Sequence, residues 1–191
     1  MPRLTTAARE ANRAALLDAG ARAIAEHGLA RARIDDISLA AGLAKGTVYN
    51  HFESKEALFR AVLSEACELA EDSASTVPDD APAADRLAAF VQGNLEWSAR
   101  RPELAVVFGR ELLAGDPETQ AFLLKEAWHC VEVVSDILDG EVREDLPLTL
   151  AAVAFIRHGT LLLSQHRATG WPALEELPQL AATLFLEGAA R

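Results

Sequence analysis

The stretch Ile34–Phe52 reads IDDISLAAGLAKGTVYNHF, and its apolar spacing gives two short helices joined by a turn. In the first, Ile37, Leu39, Ala40 and Ala41 supply an inner face. Gly42 ends it, because glycine accepts the left-handed backbone of a helix exit without a steric cost. The second runs from Ala44 or Lys45 to Asn50 or His51 and turns Val48 and Phe52 inward, four residues apart on one face. Lys45, Gly46, Thr47, Tyr49 and Asn50 then face outward. A cation, two hydroxyls, an amide and a glycine are the groups needed for phosphate and base-edge contacts in a DNA major groove. Gly46, with no side chain, admits close approach of the backbone.

Helices this short bury too little apolar surface to stand alone. The chain supplies a helix on each side, from about Arg9 to His27 and from Lys55 to Ser73. The first carries a stripe of Leu17, Ala21 and Ile24, is capped by Thr5 or Thr6, and ends at Gly28. The second starts after Ser54, its expected cap, and carries Leu58, Val62, Ala66 and Leu69. Helix, helix–turn–helix, then helix is a DNA-reading arrangement. The arm Met1–Thr6 precedes it, with Arg3 read either as a minor-groove contact or as part of a frayed terminus.

Gly42–Leu63, GLAKGTVYNHFESKEALFRAVL, resembles the signature of the tetracycline-repressor-like (TetR) family of bacterial transcription regulators. Matching positions extend from Ile24, Gly28, Leu29, Ile34, Ile37 and Ala41 through Lys45, Gly46, Thr47, Tyr49, His51, Phe52 and Lys55 to Leu58 and Val62. The resemblance implies an all-α fold of about nine helices. A three-helix helix–turn–helix head over residues 1–53 would be followed by a helical effector-binding and dimerisation body over residues 54–191. It implies a DNA-binding regulator without catalytic activity, most simply a cytoplasmic homodimeric repressor released from an inverted-repeat operator by a small organic effector. An activator, or an effector-independent binder of the same fold, is the alternative. The expected phosphate contacts are Thr47, Tyr49 and Lys55, with Lys45, Gly46 and Asn50 at the groove floor. His51 contacts phosphate or favours its helix C-terminus, and Arg33 contacts phosphate or is solvated. The sequence departs from the family pattern at Ala32 and Arg33, where threonine is usual, and at Ala44, where a capping hydroxyl is usual.

The formal net charge of −11 argues against nucleic acid only if taken globally. Residues 1–62 carry +2 and residues 63–191 carry −13. Polyanion attraction follows the local face. A head of only +2 predicts modest non-specific affinity and two heads acting together. No uninterrupted apolar run is long enough to span a bilayer, and no secretory leader is visible, so no membrane partner is expected. The expectation for Cys67 and Cys130, on separate helices, is two reduced thiols, with a disulfide left open.

Beyond Ser73, a polar loop to Pro82 precedes a helix to about Arg100, and Arg101-Pro102 interrupts it before a helix over 103–114. Gly115-Asp116-Pro117 is a stop and restart for a helix to about Leu138. Asp139–Asp145 reads as a loop, Pro147–Arg167 as the most apolar helix, and Pro178 as the start of a last one. These two helices are the candidate two-fold interface, through Phe155, Gly159, Leu162, His166, Leu180, Leu184 and Phe185. Candidates to line an effector pocket are Phe90, Trp97, Phe108, Glu111, Trp128, Phe155 and His158, with ordinary core packing as the competing reading of each aromatic. No phosphate loop, nucleophile elbow or zinc spacing is present, and no metal or other cofactor is expected.

Overall fold

The computed structural model describes residues 5–114 and 117–189. The expectations for Arg3 in the N-terminal arm and for the Gly115-Asp116 turn lie outside them. Among the described residues the chain is all-α, with nine α-helices and one 3-10 turn. It divides into two compact units, the first ending at Ser64 and the second beginning at Glu65.

The first unit holds α1 (Thr6–Arg31), α2 (Ile34–Ala40), the 3-10 turn (Thr47–Asn50) and the opening turns of α3 (Lys55–Ser75). Thr5 caps α1, its hydroxyl accepting the Ala8 N–H at 3.3 Å, and Ser54 caps α3, accepting the Ala57 N–H at 3.1 Å. Gly28, at φ 77°, breaks α1 one turn before its end. The core is Leu16, Ala19, Ile24, Ile37, Val48, Leu58, Phe59 and Val62, none more than 2% exposed. Leu16 of α1 is fully buried where Leu17 is only half-buried, and Leu39 and Ala40 face solvent against expectation. The inward face of α2 is set by Ile37 and Ser38, and Leu39 lies about 200° round the helix from Ile37. Leu58 packs on α1 so closely that a Cβ at Gly20 would stand 3.2 Å from its Cδ2. The opening turns of α3 therefore fold with α1, and the compact unit runs to Ser64.

The second unit comprises the rest of α3, α4 (Ala83–Arg100), α5 (Pro102–Ala114), α6 (Pro117–Glu126), α7 (Trp128–Leu138), α8 (Leu148–Thr169) and α9 (Leu177–Ala189). Its core gathers Leu87, Phe90, Val131, Val134, Leu138, Phe155 and Leu177. The single helix expected over 117–138 is two, broken at Ala127 (φ −88°, ψ 12°). Neither glycine nor proline marks that break. It separates α6, which buries Leu123, from α7, which buries Cys130, Val131, Val134, Ile137 and Leu138. α8 ends at Gly170, in the left-handed region at φ 76°, whose N–H donates to the His166 carbonyl at 2.7 Å.

A further sequence expectation is overturned in this unit. Cys67 and Cys130 are not separate thiols but a disulfide, with Cα atoms 5.5 Å apart across a sequence separation of 63. Residues of α3 and α7 meet there, a long-range proximity that no spacing in the sequence reveals. α8 is long and apolar enough to cross a bilayer by length and composition, although it is not an uninterrupted apolar run. Its Ala151, Ala152 and Phe155 nevertheless lie in the core of the unit, and Arg157, His158 and Arg167 interrupt it. The composition predicts cover on more than one side, but the buried residues of α8 are Ala151, Ala152 and Phe155, while Leu150 and Leu161 are exposed.

Candidate nucleic-acid interface

The interface is built on a turn with two left-handed glycines. At the end of α2, Gly42 (φ 73°) donates its N–H to the Leu39 carbonyl and Leu43 to the Ser38 carbonyl, both at 3.0 Å. This paired closure satisfies the last carbonyls of α2 and redirects the chain. Gly46, at φ 80°, then starts the 3-10 turn Thr47–Asn50. The expected two-turn α-helix over 44–51 is thus a single 3-10 turn. Ala44 brings no capping hydroxyl, and the left-handed Gly46 bars a regular helix from starting before Thr47. A Cβ at Gly46 would meet nothing within 4 Å, so the glycine answers a backbone requirement here.

Val48 is fully buried and Phe52 is 6% exposed, so the turn is anchored from inside. Outside it stand Tyr49, 57% exposed, and the exposed Asn50 and Lys45, with Thr47 half-buried. The structure therefore brings Lys45, Thr47, Tyr49 and Asn50 onto one projecting turn. The Lys45 ammonium is 3.1 Å from the Asp35 carboxylate at the start of α2. Arg33, exposed at the α2 N-cap position, lies 3.9 Å from Asp36 and caps nothing. Asp35 and Asp36 occupy the first turn of α2, where acids favour the helix dipole.

A cationic margin lies beside the turn. His51, half-buried, is held below its ordinary pKa by burial and by the charges of Arg9 and Arg13. The Arg13 guanidinium lies over the Phe52 ring at 5.4 Å, and the Lys55 ammonium over the Phe59 ring at 5.4 Å. Burial also lowers the Lys55 pKa. Phosphates reaching this margin meet positive charge held on aromatic faces.

In the second unit the expected pocket residues form two separate groups. Phe90 and Phe155 lie 6.5 Å apart, Phe155 meets Phe185 edge-on at 5.3 Å, and His158 lies 6.5 Å from Phe185. Trp97 and Phe108 stack at 5.8 Å. Glu111 accepts from Arg110 at 2.6 Å. Trp128 is 48% exposed and joins neither group. Trp97 Nε1 and His158 Nε2 are buried without a hydrogen-bond partner among the described residues, and burial lowers the His158 pKa. A cavity of about 460 Å³ opens beside α8 and α9, lined by Arg143, Leu146, Leu150, Ala154, His158, Leu184 and Phe185 among others. His158 is the expected pocket residue that lines it.

The model of bacterial regulatory proteins of the tetR family matches residues 16–62, the span of this head. The HTH-type transcriptional repressor DhaR of Mycobacterium sp. strain GP1 is 30% identical over 146 residues, covering 72% of this chain and 73% of that protein. The chain belongs to the TetR family. A fatty acid metabolism regulator of Bacillus subtilis is 27% identical over 145 residues, 71% of this chain and 73% of that protein. In fold, this TetR-family chain is similar to FadR from Bacillus subtilis, solved in complex with stearoyl-CoA, with a TM-score of 0.71, 22% identity, and 92% and 98% of the two chains covered.

The TetR-family chain is thus a DNA-binding transcriptional regulator and not an enzyme. Sequence reasoning missed the roles of four head residues. Ser38 is fully buried and accepts the Val48 N–H at 3.4 Å; its trace in the sequence is a hydroxyl next to the inward Ile37. Asp35 holds Lys45, and Arg9 and Arg13 flank His51, relations that need the tertiary fold. Of the expected interface residues, Phe155 is fully buried in the core of its own unit and has no surface to offer a second subunit. Gly159, Leu162, His166, Leu180 and Phe185 are half-buried, and Leu184 is 47% exposed. His166 Nδ1 is 2.8 Å from the Pro172 carbonyl. Leu150 and Leu161, 57% and 54% exposed, extend the apolar face of α8 and were not anticipated.

Proposed function

We propose that this TetR-family regulator is a cytoplasmic, homodimeric repressor that leaves an inverted-repeat operator when an organic effector binds its body. The observation that carries the reading is the projecting turn at Lys45–Asn50, with Val48 and Phe52 anchoring it and His51, Arg9, Arg13 and Lys55 beside it. Thr47, Tyr49, Lys55, His51 and Arg33 are the proposed phosphate contacts. Lys45, Gly46 and Asn50 are the proposed groove residues, Lys45 exchanging Asp35 for DNA. The division of labour follows the chain, with residues 1–53 and Lys55 at the start of α3 reading DNA and the rest of residues 54–191 binding effector and partner.

Two copies pair through α8 and α9 in this reading, burying Leu150, Leu161 and Leu184 along with Gly159, Leu162, His166, Leu180 and Phe185. Exposed leucines repeated along one helix face are the surface a partner removes from water. The effector reading draws on Phe90, Trp97, Phe108, Glu111, Trp128, Phe155 and His158. Trp97 Nε1 and His158 Nε2, buried and unpartnered, are the polar anchors it would satisfy. An acyl thioester is the first class to test, because one similar fold was solved with stearoyl-CoA. Its binding must differ between the DNA-competent and released conformations for release to follow. Fluorescence anisotropy with a selected operator, titrated with acyl thioesters of increasing chain length, tests the reading. Release that grows with chain length is expected. An operator complex indifferent to every acyl length and to other organic ligands would remove the effector half.

A further inference from the structure

Within the second unit, α3 is tied to its neighbours at spaced points. Glu65 takes the Arg101 guanidinium at 3.1 Å. Cys67 is bonded to Cys130 of α7. The backbone at Leu69 and Ala70 touches α4 so closely that a Cβ at Gly93 would stand 2.3 Å from the Leu69 carbonyl oxygen. Glu71 meets His129 of α7 at 2.6 Å. Between these ties the buried face of α3 presents the small side chains Ala70 and Ala74. Small side chains give limited dispersion contact, so the covalent tie contributes a large share of what fixes α3 on α7. The ion pair to Arg101, the histidine contact and the α4 contact are made by residues other than the two cysteines.

We propose that Cys67 and Cys130 are a reversible dithiol–disulfide pair, through which a hydroperoxide-class oxidant sets how firmly α3 is held against α7. One thiolate attacks the peroxide, forming Cys–SOH and releasing hydroxide. The second thiolate then attacks that sulfur, forming the S–S bond, breaking the S–O bond and releasing a second hydroxide. A small dithiol reverses the step by two exchanges and is itself oxidised to a disulfide. Both cysteines are 6% exposed, which restricts the reaction to small reagents. α3 also carries Lys55, so the state of the pair reaches operator affinity; that consequence rests on the DNA-binding reading above.

The full chain is compared after hydrogen peroxide, after dithiothreitol, and as the double variant C67A/C130A. Peptide mass mapping, amide hydrogen exchange over residues 65–75 and operator affinity are measured on each. The expected result is a Cys67–Cys130 linked peptide that dithiothreitol abolishes, with exchange over 65–75 about tenfold or more slower in the oxidised form. Operator affinity differs about threefold or more between the two forms. The double variant matches the reduced protein under both treatments. The proposal is overturned if no linked peptide forms, if exchange is the same in both forms, or if the double variant still responds to peroxide. If no form binds any DNA sequence, the DNA-binding reading fails, and the exchange comparison still decides the redox proposal.

Discussion

The Ser38 hydroxyl, fully buried on α2, accepts the Val48 N–H of the 3-10 turn at 3.4 Å and so ties the two arms of the DNA-reading head. Gly46, at φ 80°, turns the chain into position for that bond. The projecting turn is therefore held from behind by one polar bond and by the side chains of Val48 and Phe52.

Removing the hydroxyl leaves the Val48 N–H buried without a partner. Ser38→Ala is expected to destabilise the protein by about 1–3 kcal/mol and to weaken operator binding, because the turn loses its fixed geometry. Urea unfolding monitored by circular dichroism measures the first effect and anisotropy the second. A variant with wild-type stability and affinity would show that the turn does not depend on this bond.

Two glycines separate backbone strain from steric clash. A Cβ at Gly46 has open space, so Gly46→Ala costs only the left-handed conformation, about 1 kcal/mol. A Cβ at Gly93 would stand 2.3 Å from the Leu69 oxygen and 2.6 Å from the Ala70 Cα, both backbone atoms. Gly93→Ala is expected to cost about 3 kcal/mol, the upper end of overpacking. Thermal unfolding of both variants should give the larger drop for Gly93→Ala, and the reverse order would contradict the close α3–α4 approach.

Lys55 is assigned a phosphate. Lys55→Ala should weaken binding to all duplexes about equally and lower the slope of log affinity against log salt by about one unit. A salt titration with an unchanged slope would sink the assignment. Asp35→Asn, which releases Lys45, should raise affinity for unrelated duplexes while narrowing the gap to the operator.

The His129 pKa is raised, chiefly by its hydrogen bond to Glu71. A histidine whose folded pKa exceeds its unfolded value stabilises the fold fully below the unfolded pKa, here near 6.5. That contribution is lost as pH rises through the raised folded value. The gap in thermal midpoint between wild type and His129→Gln should be largest at acidic pH and shrink towards alkaline pH. A gap independent of pH would mean that only the neutral ring matters at this contact.

The head was legible because its signals are local. Gly42 and Gly46 punctuate it, Ser54 caps α3 as expected, and Val48 and Phe52 face inward at helical spacing. What was not legible depends on distant partners. The 3-10 form of the turn follows from the conformation of Gly46, which composition does not specify. The Cys67–Cys130 bond joins residues on two helices far apart in sequence, and the Lys45–Asp35 pair needs the turn already folded. In the body, the apolar pattern of α8 gave its existence and extent. Which of its faces is covered by its own unit, as at Phe155, and which is left exposed, as at Leu150 and Leu161, is set by packing. The break at Ala127 has no residue-type signal at all.

The most direct test of the account is selection of bound duplexes from a random pool by the wild-type protein and by the double variant Lys45→Ala/Tyr49→Ala. The account predicts an enriched inverted repeat for the wild type and loss of that enrichment in the variant, with the fold retained by circular dichroism. An identical enriched motif for both proteins, or no enriched motif for the wild type, would contradict the claim that the turn at Lys45–Asn50 reads DNA.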